Sequence, residues 1–129
     1  MNPSAECRIT AALLRSFRPV VFAGHAAAIV AGLRAGPGLP GWLCLLSLLC
    51  WGLVVYLAVR VDFDGRLFAA FAEDPERAPA QLDQFLSRTS GRSIPERCTG
   101  ALRLARMLVL AWLAQVAALI AALTQIPNR

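Results

Sequence analysis

The chain of 129 residues contains no lysine: its 13 basic residues are all arginine, set against eight acidic residues and a single histidine, His25. With many alanines and glycines, that usage suggests a GC-rich bacterial genome more than any function. The formal charge of +5 is spread over termini and loops without a dense basic run, so nucleic-acid binding has little support. Cys7, Cys44, Cys50 and Cys98 form no CxxC pair and no Cys/His set with zinc spacing. Cys44 and Cys50, about 240° apart around a helix, share neither a ligand nor a disulfide. One histidine cannot supply two axial imidazoles, so a membrane haem would need a second chain or another ligand. No Gly-rich phosphate loop, nucleophile elbow, HExxH pair or Ser/His/Asp set is present. No cofactor and no metal is expected.

What the chain has instead is apolar surface. At 57% apolar residues and a mean hydropathy of +0.57, it is too greasy to bury its side chains as a soluble domain of this size. The stretch 42–74 organises the rest. Trp42 to Val59 carries no charge over 18 residues, which as a helix spans about 27 Å and nearly crosses a bilayer core. Beyond Arg60 the helical register continues into water, with Val61, Leu67, Phe68 and Phe71 on one side and Arg60, Asp62, Asp64 and Arg66 on the others.

The flanks fit the same scheme. Residues 4–18, with Ile9, Leu13, Leu14 and Phe17 at helical spacing, read as an amphipathic lead-in at the membrane surface. From Pro19 an apolar run reaches Leu33, broken only by His25. It attains membrane length if the helix begins near Ala11, with Arg15 and Arg18 snorkelling. A basic start before an apolar run also describes a signal peptide, but small-residue support for cleavage near Gly32 is weak, and the segment is expected to be retained.

Residues 34–41 read as a tight turn. Asp74-Pro75 should open a short amphipathic helix over 75–90, closed by Gly91. Ser93 and Glu96 match a capping box that starts the last helix. That helix carries Arg97, Arg103 and Arg106, then runs uncharged from Met107 to Leu123, about 26 Å, before Pro127.

The fold expected is an all-α integral membrane protein in a single domain over 1–129. It has three transmembrane helices, at about 17–34, 42–60 and 104–124. The second and third extend into the cytoplasm, with a short amphipathic helix connecting them. Leu67, Phe68, Phe71, Leu82, Phe85 and Leu102 should share an apolar cluster outside the membrane. The N-terminal tail and the 60–106 connection hold three and eight of the 13 arginines. The positive-inside rule then places both in the cytoplasm and the C-terminus in the periplasm of a cell inner membrane.

Several side chains have two readings each. His25 and Gln115 lie near the bilayer midplane, where an unpaired polar group is costly, and are candidates for a shared hydrogen bond. The sharper reading makes His25 a titrating or ligating residue. Small residues recur every four positions, as Gly24, Ala28 and Gly32 and as Ala114, Ala118 and Ala122, which suits close helix packing within the chain or against a neighbour. Arg60 with Asp64 and Asp62 with Arg66 form i to i+4 ion pairs. Alternatively, Asp62 and Asp64, with Glu73, hold a divalent cation for work on a lipid headgroup. Leu82, Phe85 and Leu86 form a possible docking face.

Asp64-Gly65 resembles the opening of the CDP-alcohol phosphatidyltransferase signature, but the Ala-Arg pair and the downstream Gly and Asp residues are missing. Length and span count are similar to those of bacterial diacylglycerol kinase, with no residues to carry over. No family is inferred. The function expected is a non-catalytic accessory or scaffolding subunit of a larger bacterial inner-membrane complex. It would associate with the lipid bilayer and with larger membrane-protein partners or further copies of itself. The alternatives are a small membrane enzyme on a lipid headgroup and an oligomeric transporter or channel component lined by His25 and Gln115.

Overall fold

The computed structural model describes residues 2–34, 41–85 and 93–124, and every element among them is an α-helix. They are α1 (Pro3–Arg15), α2 (Arg18–Arg34), α3 (Gly41–Glu73), α4 (Arg77–Phe85) and α5 (Ile94–Thr124). Turn residues 35–40, Leu86, Gly91 and Pro127 lie outside the described residues, as do the side chains of Cys44 and Phe85. Three stretches are long and apolar enough to cross a membrane: Pro3–Leu33, Leu45–Glu73 and Ile94–Thr124.

The first of these stretches is not one continuous helix, and no helix begins near Ala11. α1 starts under an Asn2 cap, whose Oδ1 accepts the Ser4 amide at 3.0 Å. It ends at Arg15, with the Ser16 amide folded back on the Ala12 and Leu13 carbonyls. Pro19 explains the stop, because inside a continuous helix its ring would strike the Arg15 carbonyl four residues back. Proline is instead accommodated in the first turn of α2, where an amide hydrogen is not needed.

The chain forms two compact units: residues 1–17 with 59–105, and residues 18–58 with 106–129. In the first, α1 packs through Cys7, Thr10, Ala11 and Leu14, all buried. Ile9 and Leu13, of the apolar row read from the sequence, are about half exposed, while Leu14 of that row is buried. The small side chains of the buried row allow a closer approach than the isoleucine and leucine would. At Gly65 of α3 an added Cβ would stand 3.4 Å from the Leu14 Cβ and 4.0 Å from the Ala11 carbonyl, so α1 rests in close contact with this glycine. Ser4 Oγ donates to the Ala72 carbonyl at 2.8 Å, fixing the start of α1 against the end of α3.

Phe68 and Phe71 form the centre of that unit, both buried and edge-to-face at 5.9 Å. Leu67, Leu82 and Leu102 are half-buried. α4 begins at Arg77, whose amide donates to Asp74 Oδ1 at 3.1 Å. Asp74 therefore caps as expected, although Pro75 and Glu76 form a turn before the helix.

In the second unit α2, the first part of α3 and the last part of α5 pack through Gly24, Ala31, Val54 and the row Ala111, Gln115, Ala118 and Ala122. The buried positions alternate steps of three and four. A strict four-residue step drifts about 40° around the helix each time, which is why Gly32 and Ala114 fall outside this face and are exposed. Gly32 has nothing within 4 Å of the Cβ it lacks. Large apolar side chains cover the rest of these helices on the outside, among them Phe22, Leu33, Leu49 and Leu110. That surface suits lipid and not water.

Candidate functional site

Three constellations carry chemistry, one in the apolar unit and two in the charged one. In the apolar unit, Gly24 is the point of closest approach: a Cβ there would meet Val54 Cγ1 at 3.1 Å, Gln115 Oε1 at 3.4 Å and Trp112 Cδ1 at 3.6 Å. The bare backbone lets Gln115 Nε2 donate to the Gly24 carbonyl at 2.8 Å. This fully buried bond ties α5 to α2. Gln115 Oε1 and the Trp112 indole nitrogen are buried without hydrogen-bond partners among the described residues.

His25 takes a different partner from the one expected. Its Nδ1 lies 2.7 Å from the Val21 carbonyl on its own helix. A carbonyl can only accept, so Nδ1 carries the proton of this contact, and Nε2 is the ring nitrogen left to face outward. The ring stands edge-on to Trp51 at 6.0 Å and is exposed on the surface of the unit. The sequence reading turned both polar residues inward. In the structure Gln115 is enclosed, while His25 faces outward midway between Arg18 and Arg34, the two charged ends of α2.

In the charged unit, Arg97 of α5 is the hub that sequence reasoning missed. Its Nη2 donates to both carboxylate oxygens of Asp83 on α4, at 2.7 and 2.6 Å, with the two side chains only 14% and 18% exposed. The guanidinium carbon also lies 6.0 Å from the centre of the Phe71 ring on α3. One cation thus joins three helices. The nearest available signal was an arginine four residues beyond Ser93, on the first turn of an otherwise apolar helix, but nothing local pointed to Asp83.

The cluster on α3 divides. Arg66 Nε and Asp62 Oδ2 pair at 2.8 Å with much of both side chains in solvent. Arg60 acts on Asp64 through space as a nearby opposite charge. Asp62 and Asp64 are two residues apart on a continuous helix, about 200° around its axis, so they diverge and cannot close on one cation. Among the described residues no three His, Cys, Asp or Glu side chains gather as a metal site. Asp64 instead lines a cleft of about 220 Å³ with Arg60, Glu96, Arg97, Phe68 and Phe71. Leu82 is half-buried on α4, Leu86 lies outside the described residues, and so does the side chain of Phe85.

No protein-family model, no curated protein and no solved structure matches the chain.

Proposed function

We propose that this protein is a small non-catalytic accessory subunit of a larger complex in a bacterial inner membrane. Its N-terminus and its 60–106 segment would lie in the cytoplasm and its C-terminus in the periplasm. The observation that carries the reading is His25, an exposed imidazole at the middle of an apolar helix whose Nδ1 is already engaged by Val21. Facing hydrocarbon, the remaining nitrogen would be unsatisfied at a cost of order 1–3 kcal/mol. A neighbouring membrane helix bearing a hydroxyl or indole N–H would satisfy it. The small-residue rows support a stable core for such a subunit, since Gly24, Ala118 and Ala122 turn inward and bulky apolar side chains stay outside.

The test is purification of the full chain from its native membrane in mild detergent. The expected result is a set of larger membrane chains at fixed stoichiometry, with recovery falling several-fold for His25→Leu while helicity is unchanged. A lone monomer, or partner recovery indifferent to His25, would overturn the reading. A reporter enzyme fused after Arg129 and active only in the cytoplasm would overturn the orientation.

A further inference from the structure

We infer that the Trp51 indole N–H is the chain's own donor to His25, a contact inside the apolar unit that closes over the outward nitrogen until a partner helix displaces it. The pairing stands by itself, and only the displacement rests on the subunit role.

Two groups with unmet hydrogen-bonding capacity stand side by side where α2 packs on α3. Trp51 Nε1 is buried without a hydrogen-bond partner among the described residues. An indole nitrogen only donates, so the group it needs is an acceptor. The ring set against it is His25, whose Nδ1 proton is committed to the Val21 carbonyl. In a neutral imidazole of that tautomer Nε2 accepts. Leaving a donor and an acceptor both unmade in hydrocarbon is costly, and one bond between them removes both costs.

The separation already fits such a bond. An N–H···N bond of about 2.9 Å between an indole and an imidazole sets the ring centres roughly 5–6 Å apart. The two rings stand at 6.0 Å. Their interplanar angle of 89° is no obstacle, because rotation about the N–H···N axis leaves the bond intact. The neighbouring contact holds the backbones at this spacing: a Cβ at Gly24, beside His25, would lie 3.1 Å from Cγ1 of Val54, one turn after Trp51. Only the indole has to turn about its Cβ–Cγ bond, while His25 keeps its bond to Val21. Trp51 is half-buried beside the exposed His25, so the turn takes place at the edge of the core. A further buried acceptor, Gln115 Oε1, stands at Gly24 beside Trp112, whose own indole N–H is unmet. That acceptor has a nearby donor without Trp51.

The pair bears on association. A partner helix must displace Trp51 before it reaches His25, and the fraction of chains closed on Trp51 lowers the partner's apparent affinity. Trp51 is then an internal competitor for the His25 nitrogen.

The probe is the full chain, with isotopically labelled nitrogen, alone in phosphatidylcholine bilayers and read by solid-state NMR. The expected result is a through-bond coupling between Trp51 Nε1 and His25 Nε2, and a downfield shift of the Trp51 indole proton that is lost in His25→Leu. Trp51→Phe keeps an aromatic ring and should move the His25 Nε2 resonance to that of an unbonded acceptor. Circular dichroism checks helicity, and either variant decides if the other does not fold. Absence of the coupling, a Trp51 resonance indifferent to His25→Leu, or an imidazole protonated at both nitrogens would overturn the pair. No partner is present, so this outcome is independent of whether the chain is a subunit. In purification from the native membrane, loss of one competing interhelical bond predicts about a threefold higher recovery of partner chains with Trp51→Phe. Unchanged or lower recovery would overturn the competition.

Discussion

Gln115 donates from the middle of α5 to the carbonyl of Gly24, 91 residues earlier, at 2.8 Å and out of reach of solvent. The two residues fit only together: any side chain at position 24 would occupy the space against Val54 and the Gln115 amide. Their substitutions should nevertheless differ in cost. Gln115→Leu removes one interhelical bond, worth about 0.6 kcal/mol and at most ~1.7 in membrane proteins, and also removes the unpartnered Oε1. Gly24→Leu forces the helices apart and should cost roughly 2–3 kcal/mol, as overpacking does. Unfolding in mixed micelles of increasing SDS fraction, followed by circular dichroism, should place Gly24→Leu well below Gln115→Leu.

Two ion pairs offer a contrast. Asp83→Ala strands the Arg97 guanidinium between helices with little solvent and should cost about 3 kcal/mol. Asp62→Ala removes a pair whose side chains are 39% and 74% exposed, and should change stability by less than about 0.5 kcal/mol. The same SDS titration reads both, and equal effects would contradict the hub assigned to Arg97.

Gly65→Val tests the seat of α1. The Cβ alone would already touch Leu14 at 3.4 Å, and the two methyls of valine add bulk at that contact. The expected result is release of residues 2–15 with the rest of the fold retained. Cleavage after Arg8 or Arg15 by trypsin should then become faster by an order of magnitude or more, following the opened population.

Metal removal should have no effect. Asp62 and Asp64 point to different sides of α3, so the thermal midpoint in EDTA should equal that in millimolar Mg²⁺ to within about 1 °C. A larger rise with Mg²⁺ would restore the carboxylates as ligands.

Much of the local order was legible in the residues themselves. The three apolar stretches, the Asp74 cap, the reach of Glu96 back to the Ser93 amide, and the Asp62–Arg66 pair depend on neighbours within about four positions, and the sequence states those neighbours directly. The stop before α2 was within reach too, since Pro19 and Arg15 stand at the clashing spacing. The identity of the α1 inner face was not. Cys7, Thr10, Ala11 and Leu14 form the inner face because that row meets α3, where Leu14 and Ala11 lie against Gly65, and no local spacing states which row a distant helix will cover.

The sequence by itself determined that this protein is helical, that three of its stretches have membrane length, and where charge gives way to hydrocarbon along them. Those properties follow from composition and from periodicities of three to four residues. Tertiary structure alone decided that Gln115 is enclosed while His25 looks out, and that Arg97 belongs to Asp83 and Phe71. It also brought Arg60, Asp64 and Glu96 to the lining of one cleft. Such pairings join residues tens of positions apart, and their geometry depends on how closely whole helix faces can approach, which no local spacing encodes.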